Sequence, residues 1–130
     1  MGAAETRRAF AKARAWFPAA AWMALIFIVS SVPGEKIPAV FPSQDVLFHG
    51  LCYGILGLFC YRGLKFSGTG LPKAGLIAVS TLLCILYGIS DEFHQSFIPG
   101  RTATVFDVSV DAAGSFAGSL FANFISAWLK

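Results

Sequence analysis

Apolar residues are gathered in four long runs along the chain, and turn-forming residues separate the runs. The runs cover residues 16–32, 46–64, 71–89 and 105–129. A transmembrane helix needs about 20 mostly apolar residues, and each run is close to that length. Proline and glycine interrupt the pattern at residues 33–34, 66–72 and 99–100. The pattern therefore predicts an all-α fold, a four-helix transmembrane bundle within a single domain of residues 1–130.

The composition supports a membrane protein. Hydrophobic residues make up 56% of the 130 residues and charged residues only 13%, whereas a soluble domain carries roughly 25% charged residues. The basic residues lie at the ends of the apolar runs and form no polybasic patch with interleaved aromatic residues, which excludes nucleic-acid binding. Cys52, Cys60 and Cys84 lie inside apolar runs without a C-x-x-C spacing, which favours small hydrophobic residues over a disulfide or a reactive thiol.

Lysine and arginine are concentrated on one side of the predicted bundle. Eight of the ten lie there: Arg7, Arg8, Lys12, Arg14, Arg62, Lys65, Lys73 and Lys130. The opposite side keeps Lys36 and Arg101 with six of the seven acids, which are Glu35, Asp45, Asp91, Glu92, Asp107 and Asp111. Because cytoplasmic loops are enriched in lysine and arginine, we predict cytoplasmic termini and outward-facing loops 33–45 and 90–104. The first run lacks an A-x-A-like cleavage site, so we predict a retained anchor and not a secretory signal.

Polar side chains gather at the predicted outer ends of three runs. Asp45, His49 and Tyr53 recur at i, i+4 and i+8, which places them on one stripe of a helix. Asp107 and Asp111 repeat the i, i+4 spacing on the fourth run. The stretch ISDEFHQSFIPGR at the end of the third run adds Ser90, Asp91, Glu92, His94, Gln95 and Arg101. We predict that these residues lie at one depth and surround one cavity.

Each polar residue also has an ordinary structural interpretation. Asp45 or Asp107 could cap a helix start, and Arg101 could be a loop cation on lipid phosphate. The tryptophans Trp16, Trp22 and Trp128 are interpreted as interface anchors. A charge buried in hydrocarbon costs about 2.5 to 3.5 kcal/mol, so many ionisable groups at one depth favour a shared functional site. A purely structural polar network is the alternative.

At these residues the chain resembles the VanZ-like family of small bacterial membrane proteins, over roughly residues 20–120. The matching residues are Asp45, His49 and Tyr53; Ser90, Asp91, Glu92 and Gln95; Pro99, Gly100 and Arg101; and Asp107, Asp111 and Gly114. Two positions depart from the family pattern. Val46 stands where the family usually has lysine, and Asp111 stands where asparagine is common. Both departures make the site more negative, which favours a metal ion or a cationic group.

The resemblance implies a multi-pass protein of the bacterial cytoplasmic membrane, linked to resistance against teicoplanin-type glycopeptides, and it implies no chemical step. Our leading hypothesis is a cell-envelope factor whose outward-facing polar pocket engages a membrane lipid or a lipid-linked, amphipathic molecule at the outer leaflet. The predicted ligand-binding residues are Asp45, His49, Tyr53, Ser90, Asp91, Glu92, Gln95, Arg101, Asp107 and Asp111.

The second hypothesis is a membrane-embedded hydrolase that acts on a lipid or a lipid-linked cell-wall precursor. Its catalytic candidates are His49, Asp91, Glu92 and His94, with a histidine as general base. A metal-dependent version would use Asp45, His49, Asp91, Glu92, His94 and Asp107, a mixed oxygen and nitrogen set that suits Mn, Zn or Mg. A transporter is disfavoured because the ionisable groups gather toward one surface and not at the midplane. The ligand, any catalysis, any metal and the oligomeric state are left open.

Overall fold

The computed structural model describes residues 2–128, with side chains through residue 126, and contains four α-helices and no strand in that range. The helices are α1, Ala3–Ser30; α2, Gln44–Phe66; α3, Lys73–Gln95; and α4, Val105–Trp128. All four are long and apolar enough to cross a membrane, which confirms the predicted all-α architecture. The predicted end of the fourth run at residue 129 and the cation Lys130 lie outside the described residues.

Two helices extend well beyond the apolar runs that predicted them. Helix α1 starts at Ala3 and not near residue 16, and its residues 3–14 are exposed. Helix α3 continues past residue 89 to Gln95, because no proline or glycine interrupts the chain before Pro99. An apolar run ends at the first charged residue, whereas a helix continues until the backbone is interrupted. The extension places Asp91 and Gln95 on one face of a regular helix.

Glycines bring α2 and α4 into close contact, and these two helices share the largest interface of the bundle. A methyl group at Gly118 would overlap the main chain of Gly54, and one at Gly57 would overlap the main chain of Ser115. Gly114 packs against Gly50 in the same way. Small residues let two membrane helices approach backbone to backbone, so these contacts set the rotation of α4 relative to α2.

The two loops at the acidic end of the bundle contact each other. The first contains a short 3₁₀ helix, Gly34–Lys36, and the Gly34 amide donates to the Pro99 carbonyl at 2.9 Å. Gly100 has a φ of 74°, a left-handed conformation that glycine adopts without steric cost. This turn directs Arg101 toward the end of α1. The loops 33–43 and 96–104 therefore close the same end of the bundle.

The tryptophans of α1 form hydrogen bonds that attach this helix to α2 and to the residue that follows it. Trp16 Nε1 donates to Ser67 Oγ at 2.9 Å, and Trp22 Nε1 donates to the Cys52 carbonyl at 2.8 Å. Both side chains are half-buried and join α1 to α2. The side chain of Trp128 lies outside the described residues.

Candidate functional site

The predicted polar stripe of α2 descends from the surface into the bundle. Asp45 is exposed, the His49 side chain is 14% exposed, and Tyr53 is only 1% exposed. The three residues follow one another at intervals of four, so each lies about one helical turn below the last. The stripe therefore links the loop surface with the protein interior.

His49 is held between two carboxylates from two other helices. Its Nδ1 donates to Asp111 Oδ1 of α4 at 2.9 Å, and its Nε2 lies 3.9 Å from Glu92 Oε1 of α3. Asp111 is fully buried and Glu92 is 6% exposed. Since a carboxylate only accepts, the Asp111 contact places a proton on Nδ1. In a neutral imidazole, Nε2 then presents its lone pair toward Glu92.

Asp91 of α3 forms a second polar group with Tyr53 of α2 and with Gln95 of its own helix. Tyr53 Oη donates to Asp91 Oδ2 at 3.4 Å, and Gln95 Nε2 donates to the same oxygen at 3.0 Å. The other oxygen, Asp91 Oδ1, is buried and has no hydrogen-bond partner within the described residues. All three side chains are buried. The group joins the stripe of α2 to the extended end of α3.

Thr104 organises two of the acids and was not among the predicted site residues. Its amide donates to Glu92 Oε2 at 3.0 Å, and its Oγ1 donates to Asp107 Oδ2 at 2.6 Å. The Asp107 amide in turn donates to Thr104 Oγ1 at 3.1 Å. The spacing Thr-x-x-Asp before an apolar run matches a capping box, and this signal in the sequence could have identified Thr104.

Arg101 is half-buried and faces the C-terminal end of α1. Its Nε donates to the Val32 carbonyl at 3.0 Å, and its Nη2 donates to the Val29 carbonyl at 2.7 Å. Burial lowers the pKa of Arg101, while the carboxylates of Asp91 and Glu92 act in the opposite direction. A guanidinium nonetheless stays protonated at any physiological pH. Arg101 therefore supplies a fixed positive charge beside the end of α1.

Two predicted site residues, His94 and Ser90, lie away from the buried polar cluster formed by His49, Asp91, Glu92, Asp107 and Asp111. The His94 ring stacks on Phe27 with a centroid separation of 4.5 Å, and its Nε2 lies 2.9 Å from Ser31 Oγ. Ser90 is exposed, and its hydroxyl donates to the Tyr87 carbonyl of its own helix. The structure thus separates the two histidines, and only His49 meets the buried acids.

A cavity of about 330 Å³ lies between α1 and the polar stripe. Its apolar walls are Trp22, Leu25, Ile26, Val29, Phe48 and Cys52, and its polar lining includes Asp45, His49, Tyr53, Asp91, Gln95 and Arg101. A second cavity of about 420 Å³ shares Asp45, His49, Gln95 and Arg101 and adds Asp107. Glu92 and Asp111 are not among the residues that line the two cavities, but both approach the His49 ring. Six of the ten predicted ligand-binding residues thus line the first cavity.

Comparison with known proteins supplies a family. The family model described as VanZ/LLP1 matches residues 15–126, which contain α2, α3 and most of α1 and α4, together with all the polar residues described above. The chain belongs to the VanZ/LLP1 family. No individual curated protein and no solved structure matches it. Together with the four apolar helices, the match makes this a multi-pass membrane protein.

In this VanZ/LLP1 protein the residues placed to hold a metal ion differ from the predicted set. One donor atom each from His49, Glu92 and Asp111 lie within 4.8 Å of one another, and no other such group occurs in the described part of the chain. Asp111 belongs to this group and was not in the predicted set, whereas four predicted members lie outside the group: Asp45, Asp91, His94 and Asp107. The ring of His49 is turned into the bundle toward α4, where it contacts Asp111.

Proposed function

We propose that this VanZ/LLP1 protein binds a lipid-linked or amphipathic molecule of the bacterial cell envelope in its first cavity. The observation that carries the proposal is the mixed lining of one continuous space. Hydrophobic side chains of α1 and α2 line it together with ionisable and other polar side chains of α2, α3 and the loop before α4. Ligand sites are mostly apolar with a few convergent polar groups, so this lining suits a hydrocarbon chain attached to a polar head.

The apolar side of the cavity is accessible from the surface that the bundle presents to lipid. Leu25, Val29 and Phe48 line the cavity and are 44%, 54% and 56% exposed. A molecule in the bilayer could therefore enter sideways between α1 and α2. Its polar head would meet Asp45, Gln95 and Arg101 at the end of the bundle.

The proposed location is the outer leaflet of the cytoplasmic membrane. The cavity lies at the acidic end of the bundle, and the basic residues of α1, of the end of α2 and of the start of α3 lie at the other end. Because basic residues tend to face the cytoplasm, this distribution supports an outward-facing cavity. Teicoplanin-type glycopeptides act on that side, so a change in tolerance to them is the cellular effect we expect.

The cavity is tested by filling it. Val29→Trp adds a bulky side chain to the apolar wall, and Ile28→Trp is the matched control because Ile28 is 62% exposed and does not line the cavity. Protein extracted with its own lipids is examined by native mass spectrometry. We expect the wild type and Ile28→Trp to retain a defined lipid and Val29→Trp to lose most of it. Equal retention in both variants would rule out this cavity as the site.

The same cells report on the envelope effect. If the bound molecule matters for teicoplanin tolerance, Val29→Trp should lower tolerance at an unchanged membrane level of the protein, and Ile28→Trp should not. Loss of tolerance together with loss of protein would indicate misfolding and not a blocked cavity.

A second function, hydrolysis of the bound lipid, is favoured by the contact between His49 and Asp111. A carboxylate on Nδ1 orients the imidazole so that Nε2 can accept a proton from water as that water attacks an ester. In that case the mass of the retained lipid would shift over time to a hydrolysed product in the wild type. His49→Gln would retain the unchanged lipid. A constant lipid mass in both proteins would contradict hydrolysis and support a function in binding only.

A further inference from the structure

The His49 cluster contains buried carboxylates without a basic partner. Asp91, Glu92, Asp107 and Asp111 are 4%, 6%, 7% and 0% exposed. Among the described side chains, no lysine or arginine lies within 4 Å of any of these carboxylates, and His49 is the only basic group that reaches two of them. Arg101 is directed to the main chain of α1. Buried charges in proteins are normally paired or coordinate a metal, so this cluster lacks positive charge.

Two oxygen atoms of the carboxylates nearest His49 have no hydrogen-bond partner within the described residues, and both belong to side chains more than nine-tenths buried. They are Glu92 Oε1 and Asp111 Oδ2; Asp91 Oδ1, in the neighbouring group, is a third such oxygen. Glu92 Oε2 already accepts from the Thr104 amide, and Asp111 Oδ1 already accepts from His49. Each carboxylate is thus held by one oxygen while the other is free. An orphaned acceptor in the interior requires an explanation such as an ion.

The separations suit a metal ion better than a hydrogen-bond network. The 3.9 Å between His49 Nε2 and Glu92 Oε1 is too long for a hydrogen bond. Two ligands that each lie roughly 2.1 Å from one cation can stand at that distance, since they can be separated by up to about 4.2 Å. The 2.9 Å contact between His49 Nδ1 and Asp111 Oδ1 is a hydrogen bond, which leaves Nε2 as the coordinating nitrogen of His49 and Oδ2 as the free oxygen of Asp111. One donor atom from each of the three side chains falls within 4.8 Å of the others.

We propose that His49, Glu92 and Asp111 bind one divalent cation between α2, α3 and α4. One nitrogen and two carboxylate ligands favour Zn²⁺ or Mn²⁺ over a soft metal. The cation supplies the missing positive charge and joins three helices whose side chains otherwise repel one another. Because His49 also lines the first cavity, the cation would lie beside the polar head of whatever occupies that cavity.

The test uses Mn²⁺ alone with the full-length protein in detergent, after treatment with a chelator. Titration followed by electron paramagnetic resonance should show one bound Mn²⁺ per chain, competed by Zn²⁺. The variants His49→Gln, Glu92→Gln and Asp111→Asn should each weaken binding by at least roughly 10-fold. The matched controls His94→Gln and Glu35→Gln alter a histidine and an acid outside the cluster, and binding should stay at the wild-type level.

A measurement on the wild type alone covers the case in which the variants fail to fold. Electron spin-echo modulation of bound Mn²⁺ should show coupling to a histidine nitrogen, and the coupling should change when the histidines carry ¹⁵N. Absence of saturable binding, binding without nitrogen coupling, or equal binding by the cluster variants and their controls would each overturn the proposal. The titration contains no added lipid, so its outcome is independent of the lipid-binding test with Val29→Trp.

Discussion

Thr104 shows how much one side chain at a helix start contributes to the arrangement of the acids. Its hydroxyl caps α4 through the Asp107 amide, and its own amide fixes one oxygen of Glu92. A serine or threonine N-cap is worth about 0.5 to 2 kcal/mol. Thr104 therefore stabilises the helix and also aims two carboxylates at the interior.

Thr104→Val should lower the free energy of unfolding by about 0.5 to 2 kcal/mol, because valine keeps the shape and the backbone amide but removes the capping hydroxyl. Thermal unfolding in detergent measures the change. Thr102→Val is the matched control, since Thr102 is an exposed loop residue two positions earlier, and its stability should equal that of the wild type. Equal melting temperatures for both variants would contradict the capping role.

Arg101 and Glu92 also differ at the residue scale in what a substitution would reveal. Arg101 holds two carbonyl groups of α1, so removal of its guanidinium disturbs the scaffold as well as any contact with a ligand. Glu92→Gln retains an acceptor oxygen for the Thr104 amide, removes the charge and replaces the other oxygen with an NH2 group. Glu92→Gln is therefore the cleaner probe of function, although both residues were predicted as ligand-binding.

At the scale of elements, the contact between α2 and α4 determines which residues meet His49. The glycines of the two helices pack backbone to backbone, which fixes the rotation of α4 and brings Asp111 to within 2.9 Å of His49. Helix α1 contributes the apolar wall of the cavity and is joined to α2 through its tryptophans. The pocket is thus built from one tight helix pair and one more loosely attached helix.

Gly118→Leu should sharply reduce the membrane level of the protein, because any side chain at this position overlaps the main chain of Gly54, and overpacking costs about 1 to 3 kcal/mol or more. Ala117→Leu is the matched control, since Ala117 is exposed on the same turn of α4. Quantitative immunoblotting of membranes compares the two. Gly54→Leu should have a milder effect, since a methyl group there would lie 3.4 Å from the Gly114 carbonyl. Wild-type levels of Gly118→Leu would show that the helices separate easily.

At the scale of the whole molecule, the two ends of the bundle differ in charge and in chemistry. The cavity, the four buried acids and Arg101 lie at one end, with the contacting loops 33–43 and 96–104. The exposed basic start of α1 and the α2–α3 loop lie at the other end. This polarity is why the orientation in the membrane decides whether the site meets the outer or the inner leaflet.

Cysteine labelling of intact cells should reach Glu35→Cys and should miss Thr69→Cys until the membrane is permeabilised. Both residues are exposed, and the three native cysteines would first be changed to alanine. Gly100 is unsuitable as a probe position because of its positive φ, and Ser67 because it accepts from Trp16. The physical basis is the enrichment of basic residues on the cytoplasmic side. Labelling of Thr69→Cys alone from outside would reverse the orientation and move the site to the inner leaflet.

Local properties of the chain were sufficient to predict the number and kind of elements. Run length and interrupting prolines and glycines predicted four membrane helices, and the i, i+4 spacing predicted that Asp45, His49 and Tyr53 share a stripe. These features depend only on neighbours along the chain, so they can be read without the fold. The end of α3 was predicted at residue 89, where the apolar run ends, whereas the helical backbone continues to Gln95.

The partners of each site residue depended on contacts between helices, and only the tertiary structure decided them. From the sequence, His49 and His94 were equivalent candidates for a catalytic base, and His49 was grouped with the acids predicted at the same depth in the membrane. In the structure the rotation of each helix, set by its packing, turns His49 toward Asp111 and Glu92 and turns His94 toward Phe27. The depth of a residue in the membrane follows from its position along the helix. The direction in which its side chain points depends on how that helix packs on its neighbours, and no local sequence pattern specifies this packing.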